Sequence, residues 1–388
     1  MRPGTPLAHH TRLHLQTDAC LAVRSAGAAC RACESICPTT ALRVADAPQL
    51  TGDCLDCGRC AGACPTGALN AAGFDSTLPL PDGNSTIRIE CWMVVPGLAH
   101  SHSVRVPCAG GVSPGRWLAW VEAAAPARLE VVDRGWCEAC PAGGTKEHVA
   151  SPALASVREW LNTAGMPAAS QPGIVSAPLD PALRPAAFPR PVDAETLSRR
   201  DFFRRAAKRP HHSAGAAAAR PTSLATIRRT APLQAEHTLR LNTLDRIARR
   251  HGGSVHPQVL PSLSIASDCA GHGVCAGSCP TGALRLVSGS AAEGLAFNAA
   301  ACVACGLCER LCPEQALRVD RSRPGSAEFK LMHRRALRAC PGCGANHTGS
   351  TPLCPRCNTA QHLAHDLFSP AGHNRQAARS STEVPDHE

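Results

Sequence analysis

Hydrophobic and polar positions alternate most regularly near the middle of the chain. From Ser85 to Cys91 the apolar residues Ile87, Ile89 and Cys91 interleave with polar ones, which predicts a strand with one buried face. Val104 and Val106 mark a second short strand over 103–107, and Leu129, Val131 and Val132 a third over 128–133. Between the last two, Ser113 stands where a helix N-cap belongs and Pro114 where a first turn tolerates proline, so a helix is expected to about Ala125. Ser151-Pro152 opens a second helix reaching about Asn162. This β-β-α-β-α order predicts a small sheet with some parallel strands, and 85–165 reads as a small α/β domain. Residues 166–255 lose the pattern. They are rich in Pro, Ala and Arg, with low complexity at Ala216–Ala219, and read as a linker with helices near 195–208 and 236–251. Residues 370–388 read as a disordered tail.

On either side of this domain the pattern is interrupted by cysteines, of which the 388-residue chain has 23. Four times a Cys-Pro closes a cysteine group and is followed by a related tetrapeptide. The copies are Cys37-Pro-Thr-Thr-Ala-Leu, Cys64-Pro-Thr-Gly-Ala-Leu, Cys279-Pro-Thr-Gly-Ala-Leu and Cys312-Pro-Glu-Gln-Ala-Leu. They fall in two pairs, within 17–72 and 258–321. Cysteines grouped as C-x2-C and ended by Cys-Pro read as metal ligands, because disulfides inside such groups have poor geometry. Proline after the last cysteine keeps the loop from continuing as a helix. The Ala-Leu that follows should begin a short helix or strand packed on the site.

The complete copy Cys54-x2-Cys57-x2-Cys60-x3-Cys64-Pro resembles the bacterial two-cluster ferredoxin family, and Cys302-x2-Cys305-x2-Cys308-x3-Cys312-Pro repeats it. The resemblance implies that three cysteines wrap one [4Fe–4S] cluster while the fourth ligates the neighbouring one. The other half-motifs depart from the pattern. Cys30-x2-Cys33-x3-Cys37-Pro lacks its first cysteine, and Gly27 stands there; Cys20, separated from Cys30 by nine residues, is the candidate across an insertion, with a buried structural cysteine as the alternative. By resemblance, Cys20, Cys30, Cys33 and Cys64 hold cluster I, and Cys54, Cys57, Cys60 and Cys37 hold cluster II. In Cys269-x2-His272-x2-Cys275-x3-Cys279-Pro the second ligand is a histidine. Cluster IV then takes Cys302, Cys305, Cys308 and Cys279, and cluster III takes Cys269, Cys275 and Cys312 with His272. His272 either ligates the fourth iron and raises the potential, leaves a [3Fe–4S] cluster, or lies exposed beside a degenerate site.

In the α/β domain, Cys91, Cys108 and the pair Cys137/Cys140 fall at or beyond predicted strand carboxyl ends, which share one crevice in open α/β sheets. The stretch Val106-Pro107-Cys108-Ala109-Gly110, with Val131-Val132-Asp133 leading to Cys137-Glu138-Ala139-Cys140, resembles the small iron–sulfur subunit of hydrogenase–heterodisulfide reductase complexes. That likeness implies a [2Fe–2S] cluster. A dithiol or zinc site and incidental cysteines are the alternatives. Trp136-Cys137-Glu138-Ala139-Cys140-Pro141 looks like a thioredoxin turn, but Pro141-Ala142-Gly143-Gly144 argues against the helix such a site needs. Near the C-terminus, Cys340-Pro-Gly-Cys343 and Cys354-Pro-Arg-Cys357, within 336–360, resemble a zinc ribbon or a short rubredoxin-like site. An S4 donor set suits Zn2+ or a single iron, and zinc is expected as a structural staple.

Charge adds one feature. Of the formal +10, all is accounted for between Ser198 and Arg250, which hold 13 Arg/Lys and 3 Asp/Glu. Because a cluster with four thiolates is anionic, a loaded chain would have anionic ends and a cationic middle. The basic stretch reads as a solvated linker before it reads as a nucleic-acid arm, since aromatic residues are few. The sequence Ser198-Arg199-Arg200-Asp201-Phe202-Phe203 resembles a twin-arginine signal but lies mid-chain without an apolar run. No secretory signal, no membrane span and no dinucleotide fingerprint appear, so a cytoplasmic setting is expected. The fold class expected is multidomain α+β, with two ferredoxin-like dicluster modules, a small α/β domain, a basic linker and a zinc-ribbon-like segment. The function expected is that of a polyferredoxin passing single electrons between a redox protein donor and acceptor. The alternatives are an accessory ferredoxin that helps load or mature a molybdoenzyme, since the first module, with Arg-Arg-x-Phe-Phe nearby in the chain, also resembles cytoplasmic ferredoxins associated with nitrate reductase, and a redox-sensing nucleic-acid binder.

Overall fold

The computed structural model describes residues 5–7, 11–74, 78, 86–189, 235–289, 292–347 and 351–368. The first cysteine-rich module contains five short strands: β1 (Thr5–Pro6), β2 (Leu13–Leu15), β3 (Leu42–Val44), β4 (Pro48–Leu50) and β5 (Leu69–Ala71). Strands β1-β2-β5 form an antiparallel sheet, with Leu13 opposite Ala71 and Leu15 opposite Leu69, and β3-β4 form a hairpin. The repeat's Ala-Leu begins a strand here, not a helix. Leu42 and Leu69 enter β3 and β5 and are buried with Leu13, Leu15 and the cysteines.

The α/β domain has the predicted strands, slightly shortened, as β6 (Ile87–Cys91), β7 (Val104–Val106) and β8 (Leu129–Asp133). A fourth, β9 (Gly173–Ser176), lies in the stretch read as linker and pairs with β8. All four run parallel in the order β7-β6-β8-β9. The first long helix, α1 (Pro114–Ala124), begins where capping chemistry puts it, and Ser113 Oγ accepts from the Arg116 N–H at 3.2 Å. The second, α2 (Ser151–Thr163), follows. Buried Trp117, Leu118, Leu154, Val157 and Leu161 fill the space between helices and sheet.

Helix α3 (Ala235–His251) matches the expected 236–251 helix but is not part of a free linker. Leu244 and Ile247 are fully buried against α1 and α2, and Arg246 grips Glu122 through two bonds of 2.8 and 2.7 Å. Glu236 sits at the N-terminus of α1, accepting from the Gly115 N–H at 2.7 Å and from Ser113 Oγ at 2.6 Å, where the helix dipole favours an anion. Arg240, Arg246 and Arg249 each meet a carboxylate, so these cations of the basic stretch are neutralised within the fold. The linker reading of 166–255 therefore fails at both ends. It missed them because β9 is only four residues long and α3 is polar on average, burying one stripe on a distant part of the chain. The helix expected near 195–208 lies outside the described residues, as does the tail.

The second cysteine-rich module contains β10 (Pro261–Ile265), β11 (Leu284–Ser288), β12 (Ala292–Phe297), β13 (Leu317–Pro324) and β14 (Lys330–Ala336). Strand β10 pairs with β13, and β11-β12-β14 form an antiparallel sheet, so the module extends past the expected end at 321. Two short strands, β15 (Arg338–Ala339) and β16 (Asn346–His347), and helix α4 (Pro355–Phe368) flank the last four cysteines, of which Cys357 lies on the helix and the others in the connections. Among the described residues no helix is long and apolar enough to cross a membrane.

Candidate metal centres

In each cysteine-rich module the same backbone turn recurs. The residue two before Ala-Leu's leucine, occupied by Thr40, Gly67, Gly282 and Gln315 in the four copies, takes a positive φ of 52°, 72°, 68° and 52°. Its N–H donates to the carbonyl of the Cys-Pro cysteine at 3.1–3.3 Å in every copy. Two copies use glycine there, the residue that adopts this conformation without strain. A second positive φ precedes the second ligand position: Ala29 before Cys30, Asp56 before Cys57, Gly271 before His272 and Ala304 before Cys305. This turn aims backbone donors at sulfur. The Asp56 N–H lies 3.3 Å from Cys54 Sγ, and the Ala304 N–H 3.4 Å from Cys302 Sγ. The recurrence at Ala29 shows that the chain enters Cys30 in the common geometry although Gly27 stands where the regular spacing has a cysteine.

The threonine of Cys-Pro-Thr has a role that the repeat displayed but the spacing did not explain. Its hydroxyl lies beside the cysteine sulfur, at 3.8 Å for Thr39 and Cys37, 3.7 Å for Thr66 and Cys64, and 3.7 Å for Thr281 and Cys279. The fourth copy has Glu314 instead, 3.7 Å from Cys312 Sγ, and its other oxygen lies 3.0 Å from His272 Nδ1. Both departures from the repeat therefore meet at one corner of the second module. His272 is half-exposed there.

The thiols assemble across the half-motifs. Burial pushes Cys20, Cys30 and Cys33 above the ordinary thiol value, Cys33 to about 12, and the neighbouring Cys64 adds to each. Burial likewise raises Cys54 to about 11, and Cys57 and Cys60 too, with Cys37 contributing to all three. The second module repeats this. Burial raises Cys302 and Cys308 to about 12 and Cys305 as well, with Cys279 adding in each case. Cys275 is raised by burial and by Cys269 and Cys312. Four free cysteines, each buried or half-buried and ringed by N–H and hydroxyl donors, suit a bound cation core, which would supply the charge that burial withholds from bare thiolates. Two stretches match a family model. Residues 50–70 and 295–318 are similar to the 4Fe-4S binding domain. They contain the complete half-motifs, and the match places iron–sulfur electron transfer at both modules. The comparison with curated proteins returned no match.

The α/β domain brings its four cysteines together at the sheet's topological switch point. Cys91 ends β6, Cys108 follows β7, and Cys137 and Cys140 follow β8; all line one cavity of about 30 Å³ with Trp136 and His148. Cys137–Cys140 is a non-helical turn, so the helix of a thioredoxin site does not form. Burial raises Cys91, Cys108 and Cys137, the last to about 11, and Cys57 of the first module is among the charges acting on Cys108. A buried ion pair frames the site: Arg134 donates through Nε at 2.8 Å and Nη2 at 2.5 Å to Glu90 Oε1, while the His100 N–H donates to Oε2 at 2.8 Å. Glu90 precedes Cys91 and Arg134 stands three before Cys137. Sequence reasoning missed His148 and Asp133, whose donor atoms lie within 4.8 Å of each other and of Cys137. The signal available was only Asp-x3-Cys and a distant histidine, too common to single out.

At the C-terminal knuckles, Cys340, Cys343, Cys354 and Cys357 present their sulfurs within 4.8 Å of one another. The Cys354 N–H points at Cys340 Sγ at 3.2 Å, and this donor, with the Gly342 and Cys343 amides, draws the Cys340 thiol down to about 6. A thiolate at neutral pH in a group of four sulfurs is a ready cation site.

Proposed function

We propose that the protein is a polyferredoxin-type electron relay. Cys20/Cys30/Cys33/Cys64, Cys37/Cys54/Cys57/Cys60 and Cys279/Cys302/Cys305/Cys308 each hold a [4Fe–4S] cluster. Cys269/Cys275/Cys312 hold a fourth, with His272 at its remaining corner. The single observation that carries this is the repeated turn, present in both modules with its sulfur-directed donors and with each Cys-Pro cysteine grouped with the opposite half-motif. These clusters would supply one-electron centres; the polypeptide positions them, excludes water by burying Leu42, Leu69, Leu284 and Leu317 beside them, and directs dipoles at the sulfurs. Cys91, Cys108, Cys137 and Cys140 hold a further cluster, read as [2Fe–2S], and the four C-terminal cysteines hold a structural Zn2+. The partners are a redox protein donor and a redox protein acceptor in the cytoplasm.

Anaerobic determination of metal and sulfide on the purified full chain tests this. About 16 iron atoms are expected, or about 18 with the middle cluster, together with about one zinc. A chain carefully prepared that holds about eight or fewer iron atoms overturns the four-cluster reading.

A further inference from the structure

The segment between Cys20 and Cys30 is where the spacing of the repeats is broken by an insertion, and it lies where the two cysteine-rich modules meet. It folds as two single turns, Leu21–Arg24 and Ala26–Ala28. Leu21 and Ala28 are buried with Leu307 of the second module, and Cys30, Val303, Cys305 and Leu311 pack around them. Gly27 approaches so closely that a Cβ there would lie 3.3 Å from Leu307 Cδ1.

Polar bonds fasten this apolar contact on three sides. Arg24, 2% exposed, donates through Nε to the Pro280 carbonyl at 2.6 Å and through Nη1 to the Asp18 carbonyl at 2.8 Å. Pro280 directly follows Cys279. Arg310 donates through Nη2 to the Gly27 and Ala28 carbonyls at 3.3 and 3.2 Å, and through Nη1 to the Cys305 carbonyl at 3.2 Å. From helix α3, the Glu236 N–H reaches the Thr66 carbonyl at 3.4 Å and His237 Nε2 lies 3.0 Å from the Ala300 carbonyl. Burial and the nearby Arg240 lower His237 to about 4, so its ring is neutral and can donate from Nε2. Every one of these bonds ends within four residues of a cysteine assigned above to a cluster. At the far side of the first module, Cys57 is buried in one apolar group with Cys108 and Trp136 of the α/β domain.

We propose that the insertion is a coupling loop that makes the two modules one electron path instead of two separate carriers. It presses the Cys20/Cys30 loop of the first module onto the Cys279/Cys305 loop of the second. The order of ligand groups along the path is then Cys91/Cys108/Cys137/Cys140, Cys37/Cys54/Cys57/Cys60, Cys20/Cys30/Cys33/Cys64, Cys279/Cys302/Cys305/Cys308 and Cys269/Cys275/Cys312. Passage between neighbouring groups oxidises one by a single electron and reduces the next by the same electron, with no bond or proton exchanged. Arg24 and Arg310 set cationic charge in a seam between two anionic centres, which lowers their mutual repulsion. The proposal rests on the cluster assignment above and adds to it the loop's role and the order.

The test uses the full-length protein, anaerobically loaded and reduced, read by EPR and by iron and sulfide content. In the intact chain the signal of the first module should show spin–spin broadening from the second. Leu307→Asp combined with Arg310→Ala should keep the iron and sulfide content and lose that broadening. A variant that keeps both overturns the coupling role. Because the seam variant could fail to load, Cys305→Ala with Cys308→Ala provides a second reading: removing the centre next to the seam should sharpen the first module's signal and lengthen its relaxation time. An unchanged relaxation time, in a chain whose first module holds its iron, overturns the order. Absence of iron from the wild-type chain would instead overturn the cluster assignment itself.

Discussion

Replacing Arg134 by methionine leaves Glu90 as a buried charge with one hydrogen bond where it had three. The Glu90 side chain is fully buried and that of Arg134 is 9% exposed, so water cannot take the arginine's place. Two charge-assisted bonds to Oε1 disappear, and only the His100 N–H remains on Oε2. Each such bond contributes about 1.5–3 kcal/mol. Breaking a buried pair from one side costs about 3–5 kcal/mol, and the two figures agree. All five tryptophans, Trp92, Trp117, Trp120, Trp136 and Trp160, lie in the α/β domain, so their fluorescence reports its unfolding without interference from other domains. With a urea slope of about 1–3 kcal/mol per molar, Arg134→Met should move the midpoint down by about 2 M. Pairing it with Glu90→Leu removes both charges and should recover most of the loss, because an apolar replacement of a buried ion pair is close to neutral. A single variant that loses less than about 1 kcal/mol, or a double variant as unstable as the single one, would refute the reasoning. Loss of metal from the four-cysteine site should accompany the single variant, since the pair fixes the chain entering Cys91 and Cys137.

Four further outcomes are expected. Thr40→Gly and Gln315→Gly should each stabilise the protein by about 1 kcal/mol in chemical denaturation, because both residues hold a left-handed conformation that glycine adopts without strain. Chelation with a zinc-selective agent should unfold 338–368 by hydrogen exchange while leaving tryptophan fluorescence unchanged, and a change in both would mean the knuckles are not an independent site. Thiols raised by burial favour the protonated folded state, so the metal-free protein should be most stable below the ordinary 9.0 and lose stability as pH rises from there toward 12. Metal loading releases those protons and should weaken on acidification, which a pH series of reconstitution yields measures. Finally, His272→Ala distinguishes ligation from an open corner: if the EPR signal of an oxidised three-iron cluster is present in the wild type and persists in the variant, His272 is not a ligand.

Much of the candidate site was legible because its ligands are local in sequence. Spacing alone assigns Cys54, Cys57 and Cys60 to one loop, and the matching family model covers that stretch and its counterpart at Cys302, Cys305 and Cys308. The hexapeptide identity also carried more than was read from it: the threonine hydroxyl beside sulfur and the left-handed third position after cysteine are both written in it. The helix starting at Ser113-Pro114 was equally clear, since capping depends on neighbours within one turn. Strand β9 was not, because Gly173–Ser176 is too short to show a period and owes its place to pairing with β8.

By itself the sequence determined the local units: which cysteines share a loop, which hydrophobic residues share a strand face, and where helices begin. These depend on contacts a few residues apart, and periodicity and spacing record them. The tertiary structure alone decided that α3 caps α1 through Glu236, that Cys108 is buried in one apolar group with Cys57, and that Leu21 and Ala28 pack on Leu307 of the second module. Those contacts join residues dozens to hundreds of positions apart. Each depends on complementary surfaces formed only after the separate units have folded, and a single sequence carries no periodic trace of them.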